Sequence, residues 1–274
     1  MIRIVTDSAS MLPDSLRRRF GIAVVPITIT IDGREHREGV DLTAADFYAR
    51  LAEGAAVTTA APAPGAFADV YRAAADAGAS AVLSIHTGAD YSATMASATV
   101  AAGLSDVPVT VVDTGVSSFP LALCVWSAAD RLAEGGSIEA AAEAAQLTGA
   151  HTGSLFVVGV PEVARRGGRF VAVRGELTPT NVLELVEGGI FDLGRADDIE
   201  TVIDIMVDRT VALAESRPLR IGVGHAAGDD VAALLVERLD GRVGVRDLTT
   251  YQVGPSVGAH TGPGTFGVVY TPVD

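Results

Sequence analysis

Residues 81–113 read AVLSIHTGADYSATMASATVAAGLSDVPVTVVD. Residues 81–85 and 107–112 are short runs rich in Val, Leu and Ile, the pattern of strands buried on both faces. Between them, residues 92–103 are rich in Ala and end at Gly103, which favours a helix. Strand, helix and strand in succession form a parallel crossover unit. Upstream, residues 2–5 and 24–31 read as strands and residues 13–20 and 66–77 as helices. Asp32-Gly33 is a hairpin turn signal, and Thr43 with Asp46 ahead of Phe47 is a helix start. Downstream, residues 119–133 and 137–148 continue as helices, the latter predicted to stop at Gly149.

This alternation predicts a parallel sheet with helices on both faces. Ligands of such sheets sit beyond the carboxyl ends of the strands. The loops at Thr6-Asp7-Ser8, His86-Thr87-Gly88 and Asp113-Thr114-Gly115 are therefore expected on one rim.

Beyond residue 153 the pattern changes. Residues 155–158 read as a strand and 161–166 as a short helix stopped by Gly167-Gly168. Residues 182–186 and 190–193 form an antiparallel pair around Gly188-Gly189. A helix over 198–215, a strand over 219–223, a helix over 229–239, a strand over 243–248 and a last strand around 268–270 complete the chain. The expected fold class is α/β with two domains. Residues 1–153 form an N-terminal parallel-sheet, Rossmann-like α/β domain with the Thr59 and Ser92 loops. Residues 154–274 form a C-terminal α/β domain with a mixed sheet, carrying Arg169 and His260.

Composition narrows the function. The 274 residues are 49% hydrophobic, ample for a sizeable core, yet no apolar run approaches the roughly 20 residues of a membrane span. No integral membrane segment is predicted, and a cytoplasmic location is expected. The net charge of −14 argues against nucleic acid and anionic lipid surfaces. All 20 basic residues are arginine, which removes a Walker-type phosphate loop, a Schiff base and a Ser-Lys dyad. Chemistry on ATP would therefore require another polypeptide. The single cysteine, Cys124, lies in an apolar stretch and reads as a buried thiol. The five histidines show no metal-ligand spacing, and neither a metal nor a cofactor is expected.

Four segments could carry chemistry. Gly254-Pro255-Ser256-Val257-Gly258-Ala259-His260-Thr261-Gly262-Pro263-Gly264 reads as a shaped loop that sets His260 beside backbone N–H groups, suited to a carboxylate or other anion. It also contains G-x-S-x-G, but a nucleophile elbow needs a helix directly after the serine, where more Gly and Pro follow. Thr59, ahead of Pro62 and Pro64, is presented in a fixed direction from a loop. Ser92 opens a small-residue helix, where its hydroxyl serves as a cap, an anion ligand, or both. Gly222-Val223-Gly224-His225-Ala226-Ala227 is a G-x-G-x-x-A string with Asp247 beyond it, but too little chain follows to build a dinucleotide-binding sheet.

Taken in order, these pieces resemble the DegV family of bacterial fatty-acid-binding proteins. Residues 4–13 (IVTDSASMLP) are similar to its Val-Thr-Asp-Ser opening, and residues 59–65 (TAAPAPG) to its Thr-Ser-Gln-Pro-Ser-Pro-Gly loop. Residues 92–98 (SATMASA) are similar to its Ser-Gly-Thr-Tyr-Gln-Ser-Ala helix start. Val112-Asp113-Thr114, residues 166–170 (RGGRF) and residues 258–264 (GAHTGPG) follow in the family's order. Ala60, Ala61, Ala63 and Ala93 depart from the pattern, and residues 171–192 match it poorly. The resemblance implies that Thr59 and Ser92 bind a fatty-acid carboxylate, with His260 and Arg169 near the head group. It further implies a long-chain fatty acid as ligand and a separate ATP-dependent fatty-acid kinase as partner, this chain presenting the carboxylate for acyl-phosphate formation without being the enzyme. The alternatives are an acyl-transfer or hydrolytic enzyme using Ser92 with His260, and a dinucleotide-dependent oxidoreductase built on the Gly222 turn.

Overall fold

Strand β1 (Ile2–Asp7) opens the chain, followed by α1 (Asp14–Phe20), β2 (Ala23–Val25), β3 (Thr28–Ile31), β4 (Arg34–Arg37), α2 (Ala44–Ala52), β5 (Val57–Ala60), α3 (Pro64–Asp76), β6 (Ala81–His86), α4 (Thr94–Ala102), β7 (Val109–Asp113), α5 (Phe119–Ala133) and α6 (Ile138–His151). Then come β8 (Gly153–Val157), β9 (Asn181–Val186), β10 (Gly189–Arg195), α7 (Ile199–Ser216), β11 (Leu219–His225), α8 (Asp229–Leu239), β12 (Val245–Gln252), α9 (Pro255–Thr261) and β13 (Phe266–Pro272). The computed structural model describes residues 1–163, 178 and 180–273. The chain divides into two units, Met1–Thr43 with Gly54–Ala150, and Ala44–Glu53 with His151–Asp274. Helix α2, assigned by the linear reading to the N-terminal domain, therefore belongs to the C-terminal unit. Its Phe47 and Tyr48 are buried, and the Tyr48 hydroxyl donates to the Val253 carbonyl at 2.9 Å.

The N-terminal unit is built on four parallel strands in the order β2-β1-β6-β7. Alternate residues of a strand face opposite sides, and here both sides are apolar. Val5 and Val82 pack with Phe67 and Tyr71 of α3 and with Ala98 and Ala101 of α4. Ile4, Leu83, Ile85 and Val112 pack on the other side with α5 and α6. That double burial explains why these strands read as continuous apolar runs. A small antiparallel sheet, β4-β3-β5, adjoins them in the same unit.

The C-terminal unit carries the mixed sheet β10-β9-β8-β13-β11-β12, in which, among the described residues, β11 and β12 pair parallel and the other neighbours antiparallel. Leu155, Val223 and Val268 of the sheet share a buried cluster with Ile203 and Met206 of α7 and Leu235 of α8. Glu184 lies buried within this unit. Arg209 donates to both of its carboxylate oxygens and Tyr270 donates to one at 2.7 Å, the pairing a buried charge requires.

Three expectations are corrected. Residues 24–31 are not one strand. Pro26 cannot donate to a ladder, and the chain leaves the parallel sheet after Val25 to resume at Thr28 in the antiparallel one. Residues 254–264 are not a loop throughout, because Pro255 at the first helical position is preset for a helix. Helix α9 then runs to Thr261, and Gly262 in the left-handed region closes it. Gly149 does not stop α6, which continues to His151. A Cβ at Gly149 would overlap the Thr114 carbonyl oxygen, so this glycine serves close packing. The expected short helix over 161–166 is described only as a helical turn at 161–163, and the remainder lies outside the described residues.

In a helix interior Gly→Ala ordinarily stabilises by about 1 kcal/mol. Gly149→Ala is expected to do the opposite, destabilising by about 1–3 kcal/mol as overpacking does. A lower urea midpoint than wild type is the expected result.

Candidate functional site

The three loops expected on one rim of the parallel sheet meet there. Asp7, the last residue of β1, is wholly buried and accepts four hydrogen bonds. Ala9 N–H and the Thr87 hydroxyl donate to Oδ1, both at 3.1 Å. Thr87 N–H at 3.1 Å and His86 Nδ1 at 3.0 Å reach Oδ2. A carboxylate offers about four acceptor sites, and all four are used.

His86 is equally buried. With Nδ1 donating to Asp7, its Nε2 faces the Ser84 hydroxyl at 2.7 Å, and Ser84 meets the Tyr71 hydroxyl at 2.8 Å. Phe67 sets its ring edge-on to the imidazole, centroids 5.1 Å apart. Burial raises the Tyr71 phenol above its ordinary pKa, opposed by the Ser84 hydrogen bond. Ser84, His86 and Asp7 thus have the connectivity of a catalytic triad. All three are fully enclosed, which makes them a structural chain and not a nucleophile with its base. The sequence signal for them was available: Ser84 and His86 are two apart on one strand and so share a face.

The 113–118 loop joins this assembly. Thr114 Oγ1 donates to the His86 carbonyl at 2.9 Å and Gly88 N–H to the Val116 carbonyl at 2.9 Å. A Cβ on Gly88 would come within 2.8 Å of the Gly115 carbonyl carbon. Ser118, at φ 63 and ψ −152, occupies a region that glycine alone adopts easily.

Ser92 lies at the end of the His86–Ser92 loop, half-buried. Its N–H donates to the Gly88 carbonyl at 3.2 Å, and its hydroxyl contacts Thr94 Oγ1 at 2.8 Å and accepts from Thr94 N–H at 3.2 Å. Ser92 therefore does the work of a cap from the residue before Ala93, which holds the N-cap place. Thr59 is half-buried in strand β5 and paired with Ile29, so it is placed by a ladder and not by a loop. Both hydroxyls belong to the N-terminal unit. His260, in the last turn of α9, belongs to the C-terminal unit. Arg169 lies outside the described residues.

Two string matches are decided by geometry. Ser256 is followed by helix after all, but it sits in the first turn of α9 and is not among the non-glycine residues with positive φ, so the strain of a nucleophile elbow is missing. In the G-x-G-x-x-A segment, a Cβ on Gly224 would collide with the Tyr251 ring, its neighbour across β12. Asp247 is ion-paired with Arg220 at 2.9 Å. Side-chain packing and an ion pair thus account for both dinucleotide signals. Among the described residues, no group of three or more His, Cys, Asp or Glu side chains could hold a metal ion, and no helix is long and apolar enough to cross a membrane.

The family model described as "Uncharacterised protein, DegV family" matches residues 1–273. The chain belongs to the DegV family. A DegV domain-containing protein of Streptomyces coelicolor is 37% identical over 98% of this chain and 97% of its own length. The structure reported as fatty acid binding of a DegV family protein from Thermus thermophilus superposes with a TM-score of 0.90 at 33% identity, covering 99% of both chains. DegV of Bacillus subtilis, described as a fatty acid binding protein, shares the fold with a TM-score of 0.88 at 23% identity over 99% of both chains.

Relief of the Ser118 backbone is measurable. Ser118→Gly is expected to raise stability by about 1 kcal/mol, strain relief exceeding the entropy cost of glycine. The urea midpoint should rise; an unchanged or lower midpoint would count against strain at this position.

Proposed function

We propose that this protein binds a long-chain fatty acid, with the Ser92 and Thr59 hydroxyls donating to its carboxylate, His260 and Arg169 contributing near the head group, and presents that carboxylate to a separate ATP-dependent fatty-acid kinase for acyl-phosphate formation. The observation that carries the binding part is the similarity to the Thermus thermophilus DegV protein, whose structure is reported for fatty acid binding, at 33% identity over nearly the whole chain. The presentation role draws support from the absence of lysine, which leaves ATP chemistry to a partner. On this reading the protein is a carrier and not an enzyme, and it works in the cytoplasm.

The energetics divide the work between tail and head. Burying methylenes contributes about 0.8 kcal/mol each, so some fifteen of them offer roughly 12 kcal/mol before the costs of association. A hydrogen bond to a charged carboxylate nets about 1.5–3 kcal/mol. The tail thus dominates affinity, and the hydroxyls fix where the reacting oxygen lies.

Mass spectrometry of an organic extract of the purified protein should show co-purified long-chain fatty acid. Ser92→Ala should still carry lipid, because the tail contribution remains, while acyl-phosphate formation with a fatty-acid kinase and ATP falls at least tenfold. Absence of fatty acid from the wild-type extract, with none taken up on exposure, would refute the binding. Turnover of an activated ester by the wild type, lost in Ser92→Ala, would favour an acyl-transfer or hydrolytic enzyme using Ser92 with His260.

A further inference from the structure

The enclosed chain Asp7–His86–Ser84–Tyr71 has no part in the proposed function as stated, and its place in the fold gives it one. Backbone elements at a sheet rim are normally held by other backbone. Here the first residue beyond β6, Thr87, is bound by a side chain, Asp7, through both its N–H and its hydroxyl. The next residue, Gly88, is pressed against Gly115 and tied to Val116. The Gly88 carbonyl in turn accepts the N–H groups of Tyr91 and Ser92, at 2.9 and 3.2 Å. Three successive links therefore run from Asp7 to Ser92.

Asp7 can hold this loop only while its own orientation is fixed. Ala9 N–H restrains one carboxylate oxygen and His86 Nδ1 the other. His86 is set by Ser84 on its far nitrogen and by the edge-on Phe67, and Ser84 is met by Tyr71. Orientation of one ring nitrogen by a partner on the other is how proteins specify an imidazole. A carboxylate in this position gives acceptors to four donors, whereas an amide would turn its NH₂ towards a backbone N–H or a hydroxyl.

Resting on the fatty-acid reading above, we propose that Asp7 and His86 are positioning residues for the Ser92 hydroxyl: they lock the His86–Ser92 loop so that the hydroxyl meets the carboxylate of the ligand, and so determine the preference for a free acid over its uncharged ester. Neither residue touches the ligand. Their contribution is to the head group alone, and the energy of the buried tail is independent of it.

The test compares binding of palmitate and methyl palmitate to the full chain, by displacement of a fluorescent fatty-acid probe. Wild type should prefer the acid by about tenfold or more. Asp7→Asn and His86→Ala should lose most of that preference while methyl palmitate binds within about twofold of wild type. His86→Asn, whose side-chain N–H can replace Nδ1–H toward Asp7, should retain the preference although it lowers the melting temperature as His86→Ala does. A role in stability alone would not separate those two variants. If the Asp7 and His86 variants do not fold, Gly88→Ala decides, because it displaces the loop and leaves the buried chain intact; loss of the acid preference in it supports the proposal. A wild-type acid preference in folded Asp7→Asn or, failing that, in Gly88→Ala overturns the positioning role alone. A wild type that binds neither ligand overturns the fatty-acid reading and this inference with it.

Discussion

A single carboxylate at the end of the first strand, Asp7, holds together the polar end of the N-terminal unit. It has no exposure to water, and an ionised group so placed is tolerated only when its acceptor sites are filled. Ala9, Thr87 and His86 fill them. The consequence is geometric: the chain after β1 and the chain after β6 leave the sheet in directions set by one side chain. Thr114 then binds the His86 carbonyl and extends the same constraint to the third loop.

The proposed reading gives this arrangement a purpose, because the ligand it assigns is mostly hydrocarbon. Apolar contacts are numerous and non-directional, so they retain a tail without specifying where its polar end rests. Precision has to come from a few hydroxyls on a stiff support. A parallel sheet packed on both faces supplies the support, and in the proposed reading the buried hydrogen-bonded chain passes its rigidity to the loop that ends in Ser92. The Thr59 hydroxyl is carried differently, by the antiparallel ladder of β3 and β5. The two string matches to other enzyme classes have local explanations, in Tyr251 packed against Gly224 and in the unstrained first turn of α9 that holds Ser256.

Much of this was legible in the sequence, for reasons that also explain the exceptions. The β/α alternation over residues 81–113 depends on local composition, and it led correctly to the parallel sheet and to one rim for Asp7, His86 and Thr114. Asp32-Gly33 makes the predicted hairpin because both residues take positive φ, 49 and 81. Misreadings arose where a residue's usual meaning was overridden by its surroundings. Gly149 reads as a helix stop but is small because the Thr114 carbonyl lies against it. Pro255 and Gly262 read as loop formers but bracket a helix. The spacing of Ser84 and His86 puts them on one face of β6, but Tyr71 carried no message alone, since its hydrogen bond from α3 to Ser84 is visible only after the helix is laid on the sheet. Position in the chain puts α2 with the N-terminal domain, whereas the hydrogen bond from Tyr48 to the Val253 carbonyl goes with its grouping in the C-terminal unit.

The central claim concerns where a fatty-acid head group rests, and a crystal structure of the full chain with palmitate tests it most directly. The account predicts a carboxylate oxygen within hydrogen-bond distance of both the Ser92 and Thr59 hydroxyls, with Asp7 still bonded to Thr87 and His86. A palmitate carboxylate bound away from Ser92 and Thr59 would contradict it.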